Sequence, residues 1–193
     1  MRLLSPTDPL PLDQPRRFAV AGPAGAGKST LAEQLSTLLG LPFVQFESFY
    51  HAPGWTVRET WREDVLAYVA GPEWAIEWQG EDVREALTAR TQVLVWLDHP
   101  RALTTARTLV RTVKRRWGHG TPIAGGNVEA PLHTFFTGSD HILKESWRGH
   151  PFIRARVRRL LAEDNHPDLV VVRLRGQRQV KKWLAGPFAD ALV

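Results

Sequence analysis

The chain contains no cysteine. That excludes disulfides and thiolate metal sites, and it fits a reducing, cytoplasmic compartment. Long apolar runs are also missing: none approaches the ~20 residues that a membrane-spanning helix needs, so no membrane partner is expected. Residues 1–15 hold Pro6, Pro9, Pro11 and Pro15 and lack the apolar core of a signal peptide. They read as a flexible N-terminal arm ahead of a single domain over residues 16–193. No internal repeat is present. The seven histidines (His51, His99, His119, His133, His141, His150 and His166) show no metal-ligand spacing. They read as surface or packing residues.

What is present begins with 193 residues of 43% hydrophobic content, enough for one domain with a real core. The stretch that organises the rest is Gly22-Pro23-Ala24-Gly25-Ala26-Gly27-Lys28-Ser29. It has the form G-x-x-x-x-G-K-[ST], the phosphate-binding P-loop. The apolar run Phe18-Ala19-Val20-Ala21 precedes it, and Leu31, Leu35, Leu38 and Leu39 follow at helical spacing. The motif therefore joins a buried strand to an amphipathic helix. Its glycines let backbone N–H groups turn inward around phosphate oxygens, and the helix adds the positive end of its dipole. Lys28 would reach the β- and γ-phosphates, and the Ser29 hydroxyl would sit on Mg²⁺. The candidate nucleotide-binding residues here are Gly22, Gly25, Ala26, Gly27, Lys28, Ser29 and Thr30.

Further strands are expected at Pro42–Phe46, Trp74–Trp78, Gln92–Leu97 and Leu169–Leu174, with helices between them. Five alternating strands with right-handed crossovers predict a parallel sheet covered on both faces. Ligands bind beyond the carboxyl ends of such strands. Glu47 follows the second strand, where a carboxylate takes the proton of an attacking hydroxyl or holds a metal-bound water. Its alternative is a helix-capping or solvent-facing residue. Glu77 ends the third strand, where P-loop proteins place a metal-associated acid. Asp98 closes the fourth strand and reads first as a structural residue fixing the following loop. The Gly-rich stretch from Gly118 to Pro131 reads as part of a lid spanning about 118–148.

The net charge of +5 is unevenly placed. Acids outnumber bases from Leu31 to Asp98, and bases dominate from Arg101 to Lys182. A basic half suits nucleic acid or a polyanion such as a triphosphate. No recognised nucleic-acid motif accompanies it, which makes nucleic acid the less favoured partner.

The P-loop, the run Val95-Trp96-Leu97-Asp98-His99-Pro100-Arg101 and the pair Arg107 and Arg111 together resemble the nucleotide-kinase branch of P-loop proteins. More closely, the chain resembles small bacterial adenylate-kinase-like proteins labelled DNA-topology-modulation proteins. The likeness runs from about Phe18 to Leu184 and includes His51-Ala52-Pro53-Gly54-Trp55, Gly126-Asn127-Val128-Glu129 and Val172-Arg173-Leu174-Arg175. It implies an α/β, three-layer P-loop NTPase fold with a five-stranded parallel sheet of order 2-3-1-4-5, helices on both faces, and ATP with Mg²⁺. Arg107 matches a position that stacks on adenine, and Arg111 one that approaches the phosphates. Gly176 and Gln177 match the loop beside the base. Two departures stand out: Glu77-Trp78-Gln79-Gly80 replaces Asp-Gly-Asn-Tyr, and Glu47 replaces an Asp. The function expected is transfer of the ATP γ-phosphoryl to a nucleotide, nucleoside or other small hydroxyl acceptor. Lys28, Glu47 and Arg111 are its catalytic residues, and Ser29 and Glu77 its metal residues. The competing expectations are an ATP-binding regulator that contacts nucleic acid, and an ATPase.

Overall fold

The computed structural model describes residues 1–117, 127 and 142–192. Five parallel strands form one sheet: β1 (Arg2–Leu4), β2 (Arg17–Ala21), β3 (Trp74–Glu77), β4 (Val93–Leu97) and β5 (Val170–Leu174). Their spatial order is β1-β5-β4-β2-β3. The P-loop strand β2 lies inside the sheet, next to its β3 edge, in register with β3 at Val20↔Glu77 and with β4 at Val20↔Val95. Eight helices accompany them in the described residues: α1 (Lys28–Leu39), α2 (Phe46–Tyr50), α3 (Trp61–Val69), α4 (Arg84–Arg90), α5 (Arg101–Arg116), α6 (Ile142–Glu163), α7 (Gln177–Ala185) and α8 (Pro187–Asp190).

Successive strand residues point to opposite faces, and each face is apolar. On one face Phe18, Val20, Val93, Val95, Val170 and Val172 pack against Leu31 and Leu35 of α1, Trp183 of α7 and Phe188 of α8. On the other, Ala19, Trp74, Ile76, Leu94, Trp96 and Val171 meet Trp61 and Val65 of α3, Leu87 of α4 and Val157 of α6. The expected three-layer α/β arrangement is present, with the P-loop following the carboxyl end of β2.

Two expectations are corrected, and a third lies mostly outside the described residues. Residues 42–46 form no strand but keep their expected place beside Trp74–Glu77 through a single parallel bridge, Phe43↔Ala75. Pro42 has no N–H for a ladder, and the Phe46 N–H donates to Glu77 instead, at 2.8 Å. Helix α2 starts at that residue. The expected order 2-3-1-4-5 is thus kept over its last four members and gains a new edge. That edge is β1, inside the segment read as a flexible arm. Arg2–Leu4 pair with Val170–Val172, the terminal ammonium reaches Asp164 at 2.7 Å, and Leu10 is buried. A three-residue strand is too short to show periodicity, so the prolines that follow it dominated the reading. Finally, the lid expected over about 118–148 falls outside the described residues at 118–126 and 128–141, and residues 142–148 open α6.

Candidate active site

The phosphate loop is shaped by close packing. A Cβ on Gly22 would lie 3.0 Å from the Ala26 Cβ and 3.1 Å from the Leu97 Cβ. Gly25 has φ +75°, and its Cβ would lie 2.3 Å from the Thr104 carbonyl oxygen and 2.4 Å from the Thr108 hydroxyl. The loop is therefore pressed against α5, whose Thr104, Thr108 and Thr112 form a buried stripe at four-residue spacing. Gly27 differs. It has φ +93°, and nothing lies within 4 Å of its Cβ position. It is the N-cap of α1 and makes no side-chain cap to that first turn. The loop thus turns a helix N-terminus toward open space, the arrangement that suits phosphate oxygens.

Around this opening the structure brings some candidate residues together. Lys28 is half-buried, and its Nζ donates to the Pro23 carbonyl at 3.3 Å, folded back along the loop. The Ser29 hydroxyl donates to Glu77 Oε1. Glu77 is 3% exposed, and its Oε2 accepts the Phe46 N–H. The register Val20↔Glu77 explains the meeting: Glu77 ends the strand beside the P-loop strand. A hydroxyl and a carboxylate side by side are hard oxygen donors, the kind Mg²⁺ takes together with phosphate and water. No group of three or more His, Cys, Asp or Glu suited to a metal occurs among the described residues.

The remaining candidates are more dispersed. Thr30 is exposed in the first turn of α1. Glu47 is exposed in the first turn of α2, next to Phe46. Arg107 and Arg111 are half-buried on α5. Gly176, at φ +122°, starts α7, and Gln177 beside it is exposed. The Gly176 N–H donates to His99 Nδ1 at 2.8 Å. Burial, and then the Arg107 charge, hold His99 below its ordinary pKa of 6.5. These contacts place the Gly176 loop, His99 and the Arg107 charge in one neighbourhood.

Sequence reasoning missed the arginines that gather on Asp98. Asp98 is 6% exposed. Its Oδ2 accepts from Arg173 Nε at 2.8 Å, its Oδ1 lies 2.9 Å from Arg154 Nε, and Arg175 Nε stands 3.6 Å from Oδ2. These partners lie 56 or more positions away in the chain, so only the sheet order reveals them. Asn127 was seen only as part of a motif. It is 8% exposed, its Oδ1 accepts the Trp55 N–H at 3.0 Å, and its Nδ2 donates to the Ala52 carbonyl at 3.1 Å.

No protein-family model matches the chain. Among curated proteins, a 42-residue segment (22% of the chain) is 48% identical to the bifunctional pantoate ligase/cytidylate kinase of Trichormus variabilis. The Nostoc sp. protein of the same name matches to the same extent. The match spans 8% of the length of those relatives. Among solved structures, the shikimate kinase of Acinetobacter baumannii is 18% identical with a TM-score of 0.51, over 88% of this chain and 90% of that one. A gluconokinase from Sinorhizobium meliloti is 16% identical with a TM-score of 0.47, over 93% and 95% of the two chains. The likeness to the shikimate kinase shows a shared α/β fold. The label of DNA-topology-modulation protein finds no support in these comparisons. No helix among the described residues is long and apolar enough to cross a membrane.

Proposed function

We propose that the protein is an ATP-dependent kinase that moves the γ-phosphoryl group to a small hydroxyl-bearing acceptor. One observation carries this reading: the hydroxyl of the phosphate-loop Ser29 is bonded to the buried carboxylate of Glu77 beside an open, donor-lined loop. A Gly-rich anion cradle alone suits many ligands; the oxygen pair next to it suits a nucleotide that arrives with Mg²⁺. Support also comes from the segment shared with a cytidylate kinase and from the fold shared with a shikimate kinase solved with shikimate bound.

Each residue then has a defined task. The loop N–H groups of Gly25 to Ser29 hold the β- and γ-phosphates, and Thr30 continues this first turn of α1. Lys28 leaves the Pro23 carbonyl to neutralise phosphate charge. Ser29 and Glu77 would hold Mg²⁺, and the ion would supply neutralisation of phosphate charge. Arg107, with Gly176 and Gln177, borders the base. Arg111 stabilises charge on the transferring group. Glu47 accepts the acceptor's hydroxyl proton as its oxygen bonds to the γ-phosphorus and the bridging oxygen leaves with ADP. The basic surplus suits this reading better than nucleic acid, because Arg154, Arg156, Arg159 and Arg173 are each paired with an acid of the same chain.

A screen of nucleosides, nucleotides, sugar acids and cyclic hydroxy acids with γ-labelled ATP tests the proposal. Transfer to one of them is expected. With that acceptor, Glu47→Gln should keep Mg-ATP binding and lower transfer at least a hundredfold, in line with the loss of a general base. Transfer by that variant at the parent rate would remove Glu47 from the chemistry.

A further inference from the structure

A second feature lies at the carboxyl ends of β4 and β5. A cleft of about 500 Å³ opens there, bounded by Asp98, His99, Arg101, His150, Arg154 and Arg175. It shares no lining residue with the phosphate loop, and Glu77, Arg107 and Arg111 do not border it.

Its charge is unbalanced. Asp98 is the one acid among the lining residues, and Arg154, Arg173 and Arg175 already converge on it. Arg101 adds a fourth guanidinium, held flat over the Trp147 ring at 3.6 Å from its centroid. Arg101 is also the first residue of the sixteen-residue helix α5, whose first turn holds no acid and whose N-cap, Pro100, offers no capping side chain. A cation at a helix N-terminus opposes the helix dipole, where an anion is the favourable neighbour. The cleft therefore gathers positive charge that its own residues leave uncompensated.

It also holds an unused donor. Arg101 Nε is buried without a partner. A buried donor left unmade is costly, and one ligand oxyanion at this cleft would answer both the charge and that donor.

We propose that the cleft between the β4–α5 turn and α6 is a second anion site, separate from the phosphate loop, for a ligand carrying a phosphate or a carboxylate group. Arg101 and Arg175 are its principal charges. Arg175 suits this role because its side chain is 56% exposed and makes no hydrogen bond closer than its 3.6 Å approach to Asp98.

The test uses the full chain saturated with Mg²⁺ and a non-hydrolysable ATP analogue, so that the P-loop is filled. Inorganic phosphate, succinate and sodium chloride are added at matched ionic strength, and thermal melts and calorimetry are recorded. Phosphate or succinate should raise the melting temperature beyond the effect of chloride, and the one that does so identifies the ligand group. Lys28→Ala, which disables the P-loop, should respond to the same anion. Arg101→Gln and Arg175→Gln should each weaken that binding at least tenfold, while Arg101→Lys, which keeps the charge, should retain most of it. Responses no larger than chloride's in both the loaded parent and Lys28→Ala overturn the proposal. So does unchanged anion affinity in both glutamine variants. If the analogue fails to bind the parent, the kinase reading falls, and the Lys28→Ala response still decides the anion site.

Discussion

Ser29 and Glu77 are 48 positions apart in the chain and touch because two neighbouring parallel strands end together. That contact sets the first expectation. Glu77→Gln keeps the shape and a hydrogen-bonding carbonyl for the Phe46 N–H but removes the charge. It should leave the melting temperature near the parent's while raising the Mg²⁺ concentration for half-maximal ATP turnover at least tenfold. A Mg²⁺ titration of turnover, beside a melt without nucleotide, reads both. The two loop glycines separate in a different way. Gly25→Ala puts a methyl 2.3 Å from the Thr104 carbonyl oxygen at φ +75°, so the P-loop must leave α5. A loss of about 2 kcal/mol or more is expected, with loss of nucleotide binding. Gly27→Ala meets open space and carries only the left-handed backbone penalty, about 1 kcal/mol. Denaturant melts of the two variants should rank in that order; equal losses would place the loop away from α5.

At the scale of the elements, the turn from β4 into α5 joins the candidate base loop to the arginine cleft through His99. The imidazole accepts the Gly176 N–H, its backbone carbonyl accepts from His150 Nε2 at 2.8 Å, and Arg107 and Asp98 act on it with opposite sign. Because burial lowers the His99 pKa below 6.5, the unfolded chain binds a proton that the folded chain refuses as pH falls. Stability from this residue is intact above pH 6.5 and drains away as pH drops through 6.5 towards the lowered folded value. His99→Asn supplies an amide oxygen for the Gly176 N–H and does not titrate. Its stability should fall less than the parent's between neutral pH and pH 5, in urea melts across that range; parallel profiles would mean that His99 titrates normally. Much at this scale was legible from sequence. The helical spacing of Leu31, Leu35, Leu38 and Leu39 locates α1, and the buried run 92–97 places β4 to within one residue. The P-loop motif located the turn between β2 and α1. What stayed hidden depended on partners. Residues 42–46 have strand-like composition, but Pro42 and the Glu77 carboxylate decide their shape. The Asp98 arginines follow from adjacency of β4 and β5, which no local pattern encodes.

At the scale of the whole molecule, the sheet uses both faces to bury its neighbours. The P-loop sits at the end of the interior strand β2, braced by Leu97 of β4 on one side and by Thr104 and Thr108 of α5 on another. The N-terminal strand closes the far edge beside β5, away from the loop. Lys28, half-buried at the start of α1, belongs to neither apolar core, so a change there should affect nucleotide binding without stability. The most direct test is a thermal melt of the parent and of Lys28→Ala, each with and without Mg-ATP. A ligand that binds only the native state at about a hundred times its dissociation constant adds ~2.7 kcal/mol, which for a chain of this size raises the melting temperature by about 5–10 °C. The parent should show that rise, and Lys28→Ala should melt at the parent's unliganded temperature with or without nucleotide. A variant stabilised by Mg-ATP as much as the parent, or a parent that Mg-ATP leaves unmoved, would contradict the assignment of this loop as the seat of the nucleotide.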